Sequence, residues 1–337
     1  MEERKEAMTV GILALVLALV VRLISGGGLL QPWNGPTALS LLIYLQTGRV
    51  VRPLQTAPTA TFPPETQPPQ LQQSRPQGVL APSFSAQDGE SVEINDLVDY
   101  DPDVESLLLS PLQWNLRQEG PTVLILHTHA TESYTKQPGE NYTEESDYRT
   151  LDASYNMLSI GEELKEILES GGVQAIHDTT LHDYPSYDGS YENARQTIKK
   201  YLKKYPSICM VIDLHRDALN FEQDPQLSTT AKVEGVESAQ LMLVAGTDVN
   251  LSYPNWQENL AFGVKLTAVL EMMYPGITRP IQLRAQRFNL DMTPGSILVE
   301  VGANGDSHSQ AMTAVRALGR AILALATGAN LQNTPPS

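Results

Sequence analysis

Thirty residues decide how this chain can be divided. Between Pro53 and Pro82 stand eight prolines, with Gln and Thr the commonest of the remaining residues. Proline fixes its own backbone angle and donates no hydrogen bond, so such a stretch cannot build a packed core. It reads as a spacer of polyproline II type, with a reach of roughly 90 Å at ~3.1 Å per residue. An acidic run follows, DGESVEINDLVDYDPD from Asp88, so residues 53–120 are expected as linker. Folded structure must then lie on either side of it.

On the N-terminal side, Met8 to Val21 (MTVGILALVLALVV) carries no charge, and the apolar character resumes after Arg22 as LISGGGLL. Fourteen residues fall short of the ~20 that span a bilayer; continuing to Leu30 reaches that length, with Arg22 able to snorkel. Arg4 and Lys5 precede the run, and no Lys or Arg lies between Leu23 and Thr47. The positive-inside rule places the N-terminus inside and the rest outside. The reading is a cytoplasmic tail at 1–6, a single membrane anchor at 7–30 and a juxtamembrane segment at 31–52. A cleaved signal peptide is the rival, though no A-x-A site follows the apolar run.

Beyond the linker, residues 121–328 alternate between buried-strand and amphipathic-helix patterns. PTVLILHTH starts as a continuous aliphatic run, the mark of a strand covered on both faces. YNMLSIGEELKEILESGG puts Met157, Ile160, Leu164 and Leu168 on one helical face and stops at Gly171 and Gly172. VQAIHD reads as a strand, SYENARQTIKKYLKKYP as a helix with Tyr191, Ala194, Ile198 and Tyr201 inward, and SICMVIDLH as a second buried strand. AKVEGVESAQLMLVAG reads as a hairpin, WQENLAFGVKLTAVLEMM as a helix and SILVEVG as a strand. A last helix turns Ala311, Val315, Leu318 and Ile322 inward. This predicts one α/β domain with a mainly parallel sheet and helices on both faces, followed by a disordered tail at 329–337.

Composition narrows the function. With 23 Lys+Arg against 39 Asp+Glu, the formal net charge is −16. That excludes a duplex nucleic-acid binder, which relies on cationic contacts to phosphate. The single cysteine, Cys209, excludes an internal disulfide framework and any Cys-rich zinc module. Inside a strand, it is expected to be buried and inert. No G-x-S-x-G elbow, P-loop or G-x-G-x-x-G motif occurs.

Ligands of open α/β sheets gather outside the carboxyl ends of the strands. Three strand ends turn polar after aliphatic runs: HTHATES (His127, His129, Glu132), DLHRD (Asp213, His215, Arg216, Asp217) and VEVG (Glu300). Two His and a carboxylate suit a catalytic zinc that keeps one position for water. A further carboxylate can then serve as general base. Asp213 could orient His215 from behind, pair with Arg216 or cap a loop. His177 and His182 read as structural or rim residues and His308 as a helix-terminus residue. The Lys199, Lys200, Lys203 and Lys204 run reads as a solvated helix face.

PTVLILHTHATESY, YNMLSIGEELKEILESGGVQAIHDTTLHD, SYENARQT, MVIDLHRDAL and SILVEVGANGD, in that order, resemble stage II sporulation protein P; SLLIYLQTGR upstream is similar to a segment near that family's anchor. The resemblance implies a zinc N-acetylmuramoyl-L-alanine amidase that acts on peptidoglycan during engulfment, also cuts peptide cross-links, and works with stage II sporulation proteins D and M at the membrane. By motif, it implies His129 and His215 as zinc ligands and Glu300 as general base. Glu132, within HATESY, is the preferred third ligand. Wider amidases place a ligand Glu just before the helix, where Glu144, Glu145 and Asp152 stand as alternatives. His127, read as sharing a strand face with His129, is another alternative or a substrate contact. Asp213 and Arg216 are read as substrate or supporting residues. The rival functions are a zinc deacetylase or carboxypeptidase on the same wall, and a wall-binding scaffold without turnover.

Overall fold

The strand order of the sheet is what brings the polar strand ends together. The computed structural model describes residues 84–219 and 227–327. The expected anchor, juxtamembrane segment, proline stretch and C-terminal tail lie outside these residues. Among the described residues no helix is long and apolar enough to cross a membrane.

In chain order, β1 (Ile94–Asp96) and α1 (Val104–Leu109) precede β2 (Val123–Leu126), α2 (Met157–Ser170), β3 (Ala175–His177), α3 (Ser190–Lys204) and β4 (Met210–Asp217). A hairpin of β5 (Thr230–Val233) and β6 (Val236–Ala239) leads to β7 (Leu241–Gly246), α4 (Trp256–Met273), β8 (Ile281–Arg284), β9 (Ile297–Ala303) and α5 (His308–Thr327). The seven-stranded sheet runs β1-β8-β7-β9-β4-β2-β3. Every pairing is parallel except β7 with β9. The sheet is therefore two parallel blocks laid head to tail. The carboxyl ends of β9, β4, β2 and β3 share one rim, and those of β1, β8 and β7 share the opposite one.

The main core joins Val123, Ile125, Ile212 and Leu214 of the sheet to Leu164 and Leu168 of α2, Phe262 and Leu266 of α4, and Ala314, Leu318 and Ile322 of α5. The alternate residues Leu124, Leu126 and Val211 pack against Ala194 and Ile198 of α3. Both faces of the sheet are thus covered, which explains why β2 and β4 read as unbroken aliphatic runs. Helix α4 is buried all round from Asn259 to Leu270, as a central helix is.

Two expectations are corrected. Residues 84–120 are not linker: β1 pairs with β8, α1 packs on α4, and Leu108, Trp114 and Leu116 are buried. The run of carboxylates concealed this, because Asp96 accepts from the backbone N–H groups of Val98, Tyr100 and Asp101 and Asp103 caps α1. These are turn-building carboxylates. The stretch read as one hairpin is also divided. β5 and β6 form a two-residue hairpin at Glu234 and Gly235, both with positive φ as a type I′ turn requires, while β7 enters the main sheet beside β9.

Candidate active site

Strand β2 ends at Leu126, and the next eight residues, 127–134, form a loop with every residue buried. A buried loop must have its backbone satisfied from elsewhere. Asp213, in register beside Leu126 on β4, accepts from Thr128 N–H at 2.7 Å and from its hydroxyl at 2.6 Å. Asp183 accepts from the Thr131 hydroxyl at 2.6 Å and from Arg149 Nη1 at 2.6 Å. Arg216 donates through Nε to Ser133 O at 3.0 Å and through Nη2 to Tyr148 O at 3.1 Å. Tyr134 closes the loop by donating to Val301 O at 2.8 Å.

This loop places His129 and Glu132 against the ends of β4 and β9. The His129 and His215 rings meet edge to face with centroids 5.2 Å apart. His215 is in register with Glu300 on the neighbouring strand, and parallel neighbours in register point to the same face. Glu132 Oε2 lies 3.6 Å from His215 Nδ1, and Asp213 Oδ1 lies 3.0 Å from His215 Nε2. Glu132 also accepts from Arg216 N–H at 3.2 Å and from Arg149 Nη2 at 3.3 Å. His129, Glu132, His215 and Glu300 thus come together, with Asp213 behind His215. Arg216 is spent on backbone carbonyls and on Glu132.

Charge in this pocket is arranged by burial and by opposed groups. Burial would raise the Glu132 carboxyl, but Arg216 and His215 outweigh it and hold it far below the usual carboxylate range. Burial would keep His215 neutral, yet Asp213 and Glu132 hold it protonated well above the usual histidine range. His129 is pushed down to about 4, mainly by burial, so it is neutral at pH 7 with a lone pair to offer. The Glu300 carboxyl is pushed up to about 8, chiefly by burial, with Glu132 and Asp217 adding like charge.

Two atoms at this rim are sealed from solvent without a partner, His129 Nδ1 and Glu300 Oε2, while His215 turns Nε2 to Asp213 and Nδ1 towards Glu132. Buried polar atoms are ordinarily paired, and two imidazoles with neighbouring carboxylates form the donor set of a catalytic zinc once the His215 proton is displaced. Among the described residues no group of three His, Cys, Asp or Glu is drawn together at coordination distance. The fit to a metal rests on the donor chemistry of His129, His215 and Glu132 and on the unpartnered His129 Nδ1.

The other candidates are placed elsewhere. Glu144, Glu145 and Asp152 are exposed, and Asp152 is used locally to accept from Ser154 N–H. His127 does not share a face with His129, because the strand ends before it and the chain turns. Its Nδ1 donates to Leu214 O at 3.1 Å and its Nε2 lies 2.9 Å from His177 Nε2, against α2. His177 Nδ1 in turn meets Glu162 Oε2 at 2.9 Å. A carbonyl only accepts, so His127 Nε2 must accept from His177, and His177 and Glu162 then share one proton on the far side. His182 bridges His127 O and the Thr197 hydroxyl, and His308 meets the Ser159 hydroxyl.

Gly161 makes that His127–His177 contact possible. A Cβ at this position would lie 2.5 Å from both Nε2 atoms. Gly161→Ala is expected to lower stability by about 1–3 kcal/mol, the usual cost of overpacking. Urea denaturation should show a lower midpoint at unchanged slope, and His177→Ala in the same chain should restore part of the loss. An unchanged midpoint in Gly161→Ala would mean that this packing is loose.

Four residues escaped the sequence reading: Arg149, Asp183, Tyr187 and Tyr191. Tyr187 is 57% exposed and stacks on the His129 ring at 4.5 Å, with the Arg149 guanidinium 5.1 Å from its centroid. Tyr191, in the first turn of α3, stands edge-on to His129 at 5.6 Å and nearly parallel to His215 at 6.4 Å. Arg149, Asp183 and Tyr187 lie on loops without periodicity, and the spacing of Tyr191 predicts only a helix-core position.

The sequence profile of stage II sporulation protein P matches residues 60–323. The chain belongs to the stage II sporulation protein P family. A curated relative, stage II sporulation protein P of Bacillus subtilis (strain 168), is 26% identical over 207 residues, which cover 58% of this chain and 48% of the relative. The chain thus spans about half the length of the curated relative it matches. Among solved structures, N-acetylmuramoyl-L-alanine amidase AmiC2 of Nostoc punctiforme is similar at 14% identity and a TM-score of 0.34, over 61% of this chain and 97% of that one. N-acetylmuramoyl-L-alanine amidase from Clostridium difficile 630 is similar at 13% identity and a TM-score of 0.36, over 61% and 94%. The family assignment rests on the profile.

Proposed function

We propose that this member of the stage II sporulation protein P family is a zinc-dependent peptidoglycan hydrolase that cleaves the N-acetylmuramoyl-L-alanine amide bond during engulfment. The observation that carries the reading is the convergence of His129, His215, Glu132 and Glu300 at one rim, with a sealed, unpartnered atom on each of His129 and Glu300. His129, His215 and Glu132 would hold the metal, which when bound supplies a Lewis acid for the scissile carbonyl and the attacking water. Asp213 orients His215 from its other nitrogen, as carboxylates behind metal-binding histidines do. Arg149 and Arg216 fix Glu132. Glu300 takes the proton of the attacking water and returns it to the leaving amine nitrogen.

Family membership supports the wall substrate, and the N-terminal apolar run with its charge flank supports a single-pass anchor and an extracytoplasmic domain. Activity on peptide cross-links and an assembly with stage II sporulation proteins D and M belong to the same proposal. Product analysis of purified peptidoglycan tests the bond. The amidase reading expects stem peptides that start with a free alanine and glycan that keeps unsubstituted lactyl groups. Release of acetate would indicate a deacetylase, loss of C-terminal residues a carboxypeptidase, and no product a scaffold.

A further inference from the structure

Tyr191 is the group near both histidines that the proposed reaction leaves unused. Its ring lies 5.6 Å from His129 and 6.4 Å from His215, and its hydroxyl has no hydrogen-bond partner among the described residues. A phenol set among polar groups without a partner is an available donor. Burial raises its pKa above the ordinary value, and His215, Asp213, Glu300 and Glu132 are the charges that bear on it. It is therefore protonated at neutral pH and set among the site's own groups.

The turn that carries Tyr191 is braced at some cost. Phe288 packs on its ring at 5.9 Å, and Asn289 Nδ2 donates to its carbonyl oxygen at 2.8 Å. Phe288 and Asn289 are consecutive non-glycine residues at φ 51° and 59°, a left-handed conformation that L side chains rarely adopt. Arg195, one helical turn beyond Tyr191, fastens the same loop to α3 through two 2.8 Å bonds to Asp291. Strain of this kind persists where a side chain must be held in place.

Building on the hydrolase reading above, we infer that Tyr191 is a catalytic residue that donates a hydrogen bond to the oxygen of the scissile carbonyl. Water gives a proton to Glu300 as its oxygen bonds to the carbonyl carbon, and the C=O π pair moves onto the carbonyl oxygen. The Tyr191 O–H stabilises that oxyanion without giving up its proton. When the pair returns and the C–N bond breaks, Glu300 delivers its proton to the leaving nitrogen. A donor aimed at charge that develops only in the transition state acts on kcat rather than on KM.

The test is Tyr191→Phe in the full chain, assayed on purified peptidoglycan with zinc content and thermal midpoint measured beside it. The expected result is a kcat lower by roughly 10²-fold, the scale of one oxyanion donor, with KM, zinc content and midpoint unchanged. A wild-type kcat, a change confined to KM, or loss of zinc would each overturn the inference. Glu300→Gln measured in parallel separates the two levels. If Glu300→Gln is inactive and Tyr191→Phe is not, the role of Tyr191 alone falls. If both keep wild-type activity, the Glu300 assignment falls as well and another acid does the work; if the wild-type chain itself yields no product, the hydrolase reading falls.

Discussion

Glu300→Gln is expected to keep its fold and its zinc while losing roughly 10²–10⁴-fold in turnover, the range for removal of a general base. Glu300 faces the same side of the sheet as His215, and its Oε2 is sealed and unpartnered. The same substitution should stabilise protein stripped of metal by a chelator. The Glu300 carboxyl rises from an ordinary value of 4.5 to about 8 on folding, chiefly through burial. Between those values the folded state binds more protons than the unfolded one, so the group favours folding below pH 4.5 and loses that contribution as pH rises towards 8. Gln at this position removes the penalty. Metal-free Glu300→Gln should exceed metal-free wild type by a few kcal/mol at pH 8 and match it near pH 4.5. Equal stability at both pH values would mean that Glu300 is solvated, and wild-type turnover would mean that another acid does the work.

Arg149→Met is the largest stability change expected away from the histidines. Arg149 pairs with Asp183, whose side chain is fully buried, and with Glu132, which is nearly so. Its removal leaves Asp183 without its cation, while Glu132 keeps Arg216 and His215, and breaking a buried pair in this way costs about 3 kcal/mol. Denaturant unfolding should show that loss, and Asp183→Asn added to Arg149→Met should recover part of it by removing one stranded charge. A loss under ~1 kcal/mol would mean that water reaches the pair.

The elements legible in the sequence were those with long, uninterrupted patterns. The aliphatic runs of β2 and β4 and the spacing in α2, α3 and α5 announced themselves because each buries a full face. β8 did not: four residues alternating Ile281 and Leu283 with Gln282 and Arg284 are too short to stand out. β1 and α1 were hidden by carboxylates that cap and turn the backbone rather than solvate a linker. Of the candidate site, His215 and Glu300 were legible because each interrupts a greasy strand, and His129 because it closely follows one. His127 was misplaced because two-residue periodicity was carried past the end of β2. Arg149 and Asp183 could not be found that way, since their positions are set by a buried loop whose hydrogen bonds exist only in the folded chain.

Metal content tests the central claim most directly. Protein purified without added metal should carry about one zinc per chain, the loading of a single catalytic site, as should Glu300→Gln. His129→Ala and His215→Ala should each lose most of it. Full zinc retention in both histidine variants, or none in the wild type after zinc is supplied, would contradict the account.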